Sequence, residues 1–153
     1  MTLTLAHAKT LVDAALVEAR ARNCKPMGVI VLDAGGHPVA YQREDRSSLF
    51  RFDIARAKAM GALGMGADTR DLAARAANNL PFFVGLGAVT GGDIALSPGG
   101  VLIRDASGDV IGAVGVSGDA SDKDEYAAIA GVRAAGLTPH PEHPVENWRD
   151  AGL

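Results

Sequence analysis

The chain has 153 residues and a formal net charge of −3, and its composition is 48% hydrophobic but only 5% aromatic. This length suits one compact domain, whose core must be packed largely from small apolar side chains. The absence of a basic run argues against nucleic acid as a partner, and the single cysteine, Cys24, excludes an internal disulfide and a cysteine-built zinc or iron–sulfur site.

The first element in chain order is an amphipathic helix. Apolar residues recur at three- and four-residue spacings from Leu5 to Ala19, and charged residues fill much of the other side. Thr4 is placed to cap the start of this helix. Asn23 can end it in a left-handed conformation, and Pro26 forbids its continuation.

The same segment bears on the location of the protein. Asp13 and Glu18 interrupt its apolar positions, and no basic stretch precedes them. The segment is therefore predicted to be neither a signal peptide nor a membrane span. We expect a cytoplasmic protein without a membrane partner.

Two β-hairpins are predicted from apolar runs on either side of short turns. The predicted strands are Met27 to Leu32, Val39 to Glu44, Val101 to Arg104 and Asp109 to Ser117. The turns share a pattern, since DAGG at residues 33–36 is echoed by DASG at residues 105–108. An Asp can cap such a turn with its carboxylate while the final Gly takes a positive φ angle, so the repeat needs no ligand to explain it.

Helices are predicted between the hairpins and after the second one. Phe52 to Met65 has apolar residues in almost every direction, so this helix is expected to be buried between the sheet and either a second helix or a second subunit. A short helix is predicted from Asp68 to Ala77, with Asn78 and Pro81 as its stop, and the last helix from Ser121 to Ala135. The glycine-rich segment Pro81 to Gly100 is predicted to be a loop with short extended pieces. Hairpins surrounded by helices indicate an α+β domain with an antiparallel sheet.

Three stretches of the sequence carry a family resemblance. They are VIVLDAGGHPVAYQRED, SSLFRFDIARAKAMGAL and SPGGVLIRDASGDVIGAVGVSGDASDKDEYAAIAGVRAA. These stretches resemble the GlcG/HbpS-like family, also called the haem-degrading domain family, and the resemblance covers Leu5 to Leu137. It implies a profilin-like α/β sandwich, with an antiparallel sheet of about five strands and helices packed on it. We divide the chain accordingly into a GlcG/HbpS-like domain at residues 1–138 and a Pro-rich C-terminal tail at residues 139–153.

The resemblance also implies a function. Members of this family form homo-oligomers, some bind haem, some degrade it or act as redox sensors, and many lie in catabolic gene clusters. We therefore expect a homo-oligomer, a dimer or larger, that binds haem or another planar or carboxylated small molecule, with slow haem degradation as an added activity. The alternatives are a lyase or isomerase that acts on small aromatic or hydroxy acids without haem, and a non-catalytic accessory protein. No metal ion other than haem iron is expected.

Two histidines are candidate haem ligands, since neutral imidazole is the commonest metal ligand in proteins. His37 lies in the first hairpin turn, at the usual GGH position of the family, and the alternative is an exposed turn residue. His7 lies on the polar face of the first helix, and the alternative is a solvated side chain. The absence of a CxxCH motif excludes covalently attached haem. His140 and His143 form an H-x-x-H pair in the tail, where neighbouring prolines deny a helix and a loosely held segment is expected.

Three charged residues are candidate catalytic or ligand-binding groups. Lys58 shares a face with apolar residues of its helix, so it either extends to solvent or, if buried, has a lowered pKa or an anionic partner such as a ligand carboxylate. Glu125 is a candidate general base in the first turn of the last helix, where acidic groups also favour the helix terminus. Arg43 can hold a ligand carboxylate with two hydrogen bonds, and the alternative is a solvated ion pair.

The glycine-rich second hairpin is the predicted ligand pocket. Its last strand has little side-chain bulk at Gly112, Ala113 and Gly115, and recurrent glycine in a strand often marks close approach by a ligand or another backbone. We expect the pocket between this strand, the loop before the hairpin and the helix that carries Lys58. The predicted ligand contacts are Pro98, Gly99, Gly100, Gly115 and Ser117. The alternative is that the glycines serve only the tight packing of a helix or a second subunit.

Overall fold

A computed structural model describes residues 1–153 and shows a five-stranded antiparallel sheet between two layers of helices. The helices are α1 (Leu5–Ala21), α2 (Arg51–Met65), α3 (Thr69–Asn78), α4 (Leu80–Val89) and α5 (Ser121–Ala134), with a short 3-10 helix at Trp148–Asp150. The strands are β1 (Gly28–Asp33), β2 (Pro38–Arg43), β3 (Gly100–Arg104), β4 (Val110–Ser117) and β5 (Thr138–His140). They are arranged in the order β2-β1-β4-β3-β5, and every neighbouring pair is antiparallel. The predicted α+β sandwich is confirmed.

The sheet separates two apolar clusters. Helices α1 and α5 cover one face, where Val29 and Val31 of β1 join the larger cluster. Helix α2 covers the other face, where Ile30 and Leu32 join the smaller one. Strand β1 is thus buried on both faces, which explains why its sequence is an unbroken apolar run rather than an alternating one.

The two repeated turns are built alike, as the sequence predicts. Asp33 Oδ1 accepts hydrogen bonds from two backbone N–H groups of its turn at 2.9 and 3.0 Å, and Asp105 Oδ1 does so at 2.9 and 3.1 Å. The final glycines, Gly36 and Gly108, have φ angles of 81° and 88°. These backbone hydrogen bonds lower the pKa of Asp33. The repeat is therefore one solution to turn formation, used twice.

The prediction of a loop from Pro81 to Gly100 is wrong for the first half of that segment, which forms helix α4. Pro81 lies in the first turn of this helix, where its missing N–H costs no helical hydrogen bond. The residue predicted to stop the preceding helix therefore helps to begin α4. Phe83 is buried, whereas the large side chains on either side of it are exposed. Although α4 is strongly apolar, no helix of the protein has the length and apolarity needed to cross a membrane.

The C-terminal segment is packed against the domain. Residues Thr138–His140 form β5, which pairs with β3 at the edge of the sheet. Trp148 is buried, and its ring stacks on Tyr126 of α5 with 3.7 Å between the centroids. The expectation of a loosely held tail is therefore wrong for these residues. The domain boundary after residue 138 stays a prediction, and strand β5 spans it.

Glycines bring α2 and α5 close to their neighbours. A Cβ atom added to Gly115 of β4 would overlap the carbonyl oxygen of Ala55 in α2. One added to Gly131 of α5 would lie 2.6 Å from the carbonyl oxygen of Leu11 in α1, well inside contact distance. The absence of a side chain at Gly115 therefore makes room for the backbone of α2. This is the alternative in which the glycines of β4 serve the tight packing of a helix.

Replacement of Gly115 by alanine should test this close approach. We expect Gly115→Ala to lower the free energy of unfolding by about 3 kcal/mol, because the methyl group must push α2 away from the sheet. Urea denaturation followed by circular dichroism measures the change.

The matched control is Gly64→Ala on the exposed side of α2. A Cβ atom there meets nothing within 4 Å, and alanine has the higher helix propensity, so we expect a gain of about 0.5–1 kcal/mol. Similar effects of the two substitutions would contradict the tight contact between β4 and α2.

Candidate functional site

A buried ion pair lies where α2, β4 and α5 meet. Lys58 is 2% exposed, and its Nζ donates hydrogen bonds to Asp124 Oδ2 at 3.0 Å and to the carbonyl oxygen of Val116 at 2.9 Å. The other carboxylate oxygen of Asp124 accepts a hydrogen bond from the backbone N–H of Asp119 at 2.9 Å. The alternative in which Lys58 extends to solvent is therefore wrong. The anionic partner of Lys58 is a residue of the protein itself.

Burial shifts the pKa of both members of this pair. It raises the pKa of Asp124 to about 6, although the Lys58 cation acts to lower it. It lowers the pKa of Lys58, although Asp124 acts to raise it. In each case the loss of water disfavours the charged form, and the partner's charge offsets part of that penalty.

The next residue of α5 makes a second buried pair. Glu125 is fully buried, and both of its carboxylate oxygens accept hydrogen bonds from Nε of Arg70 at 3.1 Å. Nη2 of Arg70 also donates to Glu125 Oε1 and, at 2.8 Å, to the carbonyl oxygen of His143 in the C-terminal segment. Burial raises the pKa of Glu125, and the Arg70 cation opposes that rise. Consecutive carboxylates of α5 thus bind α2 and α3.

The residues of the predicted pocket do meet at this junction, but they are packed together. A Cβ atom on Gly99 would lie 2.9 Å from Lys58 Nζ, and one on Gly100 would overlap the Lys58 carbonyl oxygen. Ser117 is buried, and its hydroxyl accepts a hydrogen bond from Arg51 Nη1 at 3.1 Å. Gly99 accepts a hydrogen bond from the backbone N–H of Val116 at 3.0 Å, so this loop lies directly against β4, and helix α2 packs over both. The ligand-binding roles of Pro98, Gly99, Gly100, Gly115 and Ser117 stay predictions.

The two candidate haem ligands have local hydrogen bonds of their own. His7 completes a capping box, because its Nδ1 accepts the N–H of Thr4 at 3.4 Å and its own N–H donates to Thr4 Oγ1 at 3.1 Å. His37 is exposed in the β1–β2 turn, with Nδ1 3.3 Å from Asp33 Oδ1. Each histidine therefore has a local structural explanation, and a role in binding iron stays a prediction.

The tail histidines pair with different groups. His140 Nε2 lies 3.6 Å from Asp68 Oδ2, and His143 Nδ1 lies 2.8 Å from Arg133 Nη2. The H-x-x-H spacing therefore does not bring the two rings to one point. No group of three or more His, Cys, Asp and Glu side chains is placed to hold a metal ion.

Arg43 belongs to neither buried pair: it lies at the end of edge strand β2, opposite Gly28 of β1, and is exposed. It borders an open groove of about 700 Å³, together with Leu16, Val17, Arg20, Pro26, Glu44 and Asp45. Within this groove Arg20 Nε lies 2.7 Å from Glu44 Oε2, whereas Arg43 forms no salt bridge. Its guanidinium is accordingly available to an anionic ligand.

A further pair of clefts runs along α2 on its outer side. The first has a volume of about 540 Å³ and is lined by Phe52, Asp53, Arg56, Ala57, Thr90, Gly91, Gly92 and Asp93. The second has a volume of about 300 Å³ and is lined by Met60, Gly61, Gly64, Met65, Leu86, Thr90, Asp93 and Ile94. Because Thr90 and Asp93 line both clefts, we treat them as one site and call it the α2 trough.

Sequence reasoning missed the α2 trough. The α2 sequence has apolar residues in almost every direction, which predicts burial, and the segment that forms the opposite wall is predicted to be a loop. A usable signal is present, since Phe52, Arg56, Met60 and Gly64 recur every fourth residue and so share one side of the helix. A row that combines an aromatic ring, a cation, a thioether and a glycine is unusual on a helix that is buried on all sides.

Comparison with known proteins identifies a family model that matches most of the chain. The model, described as haem degrading protein HbpS-like, matches residues 3–133. No curated protein matches the sequence.

Solved structures share the fold over nearly the whole chain. A PduOC:heme complex is 24% identical with a TM-score of 0.80, and the match covers 90% of this chain and 97% of that one. Protein ORFY of Klebsiella pneumoniae is 27% identical with a TM-score of 0.80, covering 89% and 92%. A double mutant of HbpS from Streptomyces reticuli is 29% identical with a TM-score of 0.76, covering 87% and 86%.

Removal of the Lys58 cation should destabilise the protein in a pH-dependent way. In Lys58→Met, Asp124 is left buried without its partner, and we expect a loss of about 3–5 kcal/mol in the free energy of unfolding at pH 8. The folded-state pKa of Asp124, already raised to about 6 from an ordinary 3.8, should rise further. The folded protein then binds this proton more tightly than the unfolded chain, so the loss should shrink as pH falls toward 5.

Denaturant titrations at pH 5 and pH 8 measure this difference. The control is Lys9→Met, which removes an exposed lysine of α1 and should change stability little at either pH. A loss in Lys58→Met that is the same at both pH values would contradict the pairing with Asp124.

Proposed function

This chain belongs to the HbpS-like family of haem-degrading proteins, and from that premise we propose that it is a cytoplasmic, oligomeric protein that binds haem or another planar, carboxylated ligand. The observation that carries the proposal is the family match over residues 3–133. The existence of a haem complex with the same fold, although only 24% identical, supports the choice of haem as the first ligand to test.

The side chains available at the surface suit such a ligand. His37 uses Nδ1 for its contact with Asp33, which leaves Nε2 free to bind iron. Arg43 has no carboxylate partner within the chain and can pair with a propionate. Bound haem would supply the oxidative chemistry of a slow degradation, while the residues of this chain would bind and orient it.

The lyase or isomerase alternative has less support. Its acid and base, Lys58 and Glu125, are buried and paired with Asp124 and Arg70. Neither of them lines any of the five main clefts of the protein. A catalytic group must reach the proton that it transfers, and these two do not meet that requirement.

Haemin titration tests the binding proposal. We expect a saturable Soret band at about one haem per chain, and its loss or displacement in the His7→Ala/His37→Ala double variant, because axial ligands set the electronic properties of the iron. Absorbance between the ultraviolet and the visible range measures both.

The His140→Ala/His143→Ala double variant is the matched control and should retain the band. An absent band in the unaltered protein would count against haem as the ligand. A band unchanged by the loss of His7 and His37 would rule out iron binding by these histidines.

We further propose that the oligomer forms through α4 and that its partner is a second copy of the chain. Leu80, Phe82, Val84 and Val89 project large apolar side chains into solvent, and residues 79–92 contain no charged side chain. Depletion of charge is typical of the core of an interface. Contact of this helix with its own copy about a two-fold axis would place one uncharged apolar face against another.

A charge placed on α4 should weaken this assembly. We expect Val84→Lys to reduce the mass measured by light scattering after gel filtration, since a buried unpaired charge is costly. The control is Val17→Lys on α1, because Val17 and Val84 are each 66% exposed. Loss of mass in both variants, or a monomeric unaltered protein, would contradict an interface at α4.

A further inference from the structure

We infer that the α2 trough binds a flat, apolar ligand that carries a carboxylate, and that Arg56 binds this carboxylate in the position that Asp93 now takes. The inference rests on the proposed function for the class of the ligand. It assigns that ligand to a site separate from both Arg43 and the junction around Lys58.

The size of the trough suits a small molecule. Its two clefts, of about 540 and 300 Å³, fall within the range of roughly 300–1,000 Å³ that is usual for such sites. Four residues of helix advance about 6 Å, so the row from Phe52 to Gly64 extends over roughly 18 Å. A site that follows the helix over this length favours an elongated ligand over a compact one.

One end of the trough is apolar and adaptable. Met60 and Met65 supply flexible thioether side chains, which adjust to the outline of a ligand, and Leu86 and Ile94 form the opposite wall. A Cβ atom on Gly64 would meet nothing within 4 Å, so the side of the helix is open there. This end can cover the apolar body of a ligand.

The other end carries an aromatic ring and an arginine. Phe52 is 38% exposed, and its ring is held edge-on by Tyr41 with 4.9 Å between the centroids. Arg56 Nη1 donates to both carboxylate oxygens of Asp93, at 2.6 and 2.7 Å. Nε and Nη2 of Arg56 have no partner within the protein, so the guanidinium keeps donors for a second carboxylate.

The charges of the trough indicate how a ligand would bind. Asp53, Arg56 and Asp93 line it, which makes two negative groups and one positive. A ligand carboxylate must therefore displace Asp93 from Arg56 rather than join it. Both members of this pair are partly exposed, and such ion pairs contribute little to stability, so the exchange costs the fold little.

Substitution of the two partners should change affinity in opposite directions. With iron-free protoporphyrin IX as the probe and fluorescence as the measurement, we expect Arg56→Ala to weaken binding about tenfold, through loss of a charge-assisted hydrogen bond. We expect Asp93→Asn to tighten it about fivefold, because Arg56 is released and a repelling charge is removed. Arg75→Ala, which removes an exposed arginine of α3 outside the trough, is the control and should leave the affinity unchanged.

A chemical footprint should locate the ligand independently. The native Cys24 is buried, so a cysteine introduced by Met60→Cys in the trough or by Val17→Cys in the groove beside Arg43 would be the reactive one. We expect protoporphyrin IX to slow maleimide labelling at position 60 and to leave labelling at position 17 unchanged.

The outcomes separate this inference from the proposed function. Protection at position 17 without protection at position 60, or weaker binding in Asp93→Asn, would overturn the trough as the site while leaving ligand binding intact. Protection at position 60 by protoporphyrin IX without any haemin binding would support the trough and overturn haem as the ligand. Absence of binding by either porphyrin would overturn both.

Discussion

Two consecutive carboxylates at the start of α5 hold the helical layers of this protein together. Asp124 reaches Lys58 on α2, across the end of the sheet, and Glu125 reaches Arg70 on α3. Such pairs add little net stability against an apolar core, but a buried charge without its partner is very unfavourable. Only an arrangement that satisfies all four groups at once avoids that penalty, so the pairs specify how α2, α3 and α5 sit on the sheet.

The features that sequence reasoning predicted correctly are those with local causes. Asp33 and Asp105 bond to backbone groups within four residues, and Thr4 bonds to His7 within the same turn. The burial of β1 follows from its uninterrupted apolar side chains, which need no knowledge of their neighbours. The fold class follows from such elements taken in order, together with the family resemblance.

The features that were missed depend on residues far apart in the chain. Glu125 is 55 positions from Arg70, and Asp93 is 37 positions from Arg56, so no spacing rule relates them. The glycines of β4 left two interpretations open for a similar reason, because a glycine in a strand indicates a close neighbour without identifying it. Helix α4 was missed because proline and glycine were weighed as breakers, although proline in a first helical turn is well tolerated.

The stacking of Trp148 on Tyr126 has a spectroscopic consequence. Trp148 is the sole tryptophan of the chain, and it lies beyond residue 133, where the family match ends. Indole emission therefore reports the docking of the C-terminal segment onto α5 rather than the state of the sheet. Should that segment detach before the core melts, tryptophan fluorescence and far-ultraviolet circular dichroism would give different unfolding curves, and a two-state fit to the fluorescence alone would misstate the stability of the domain.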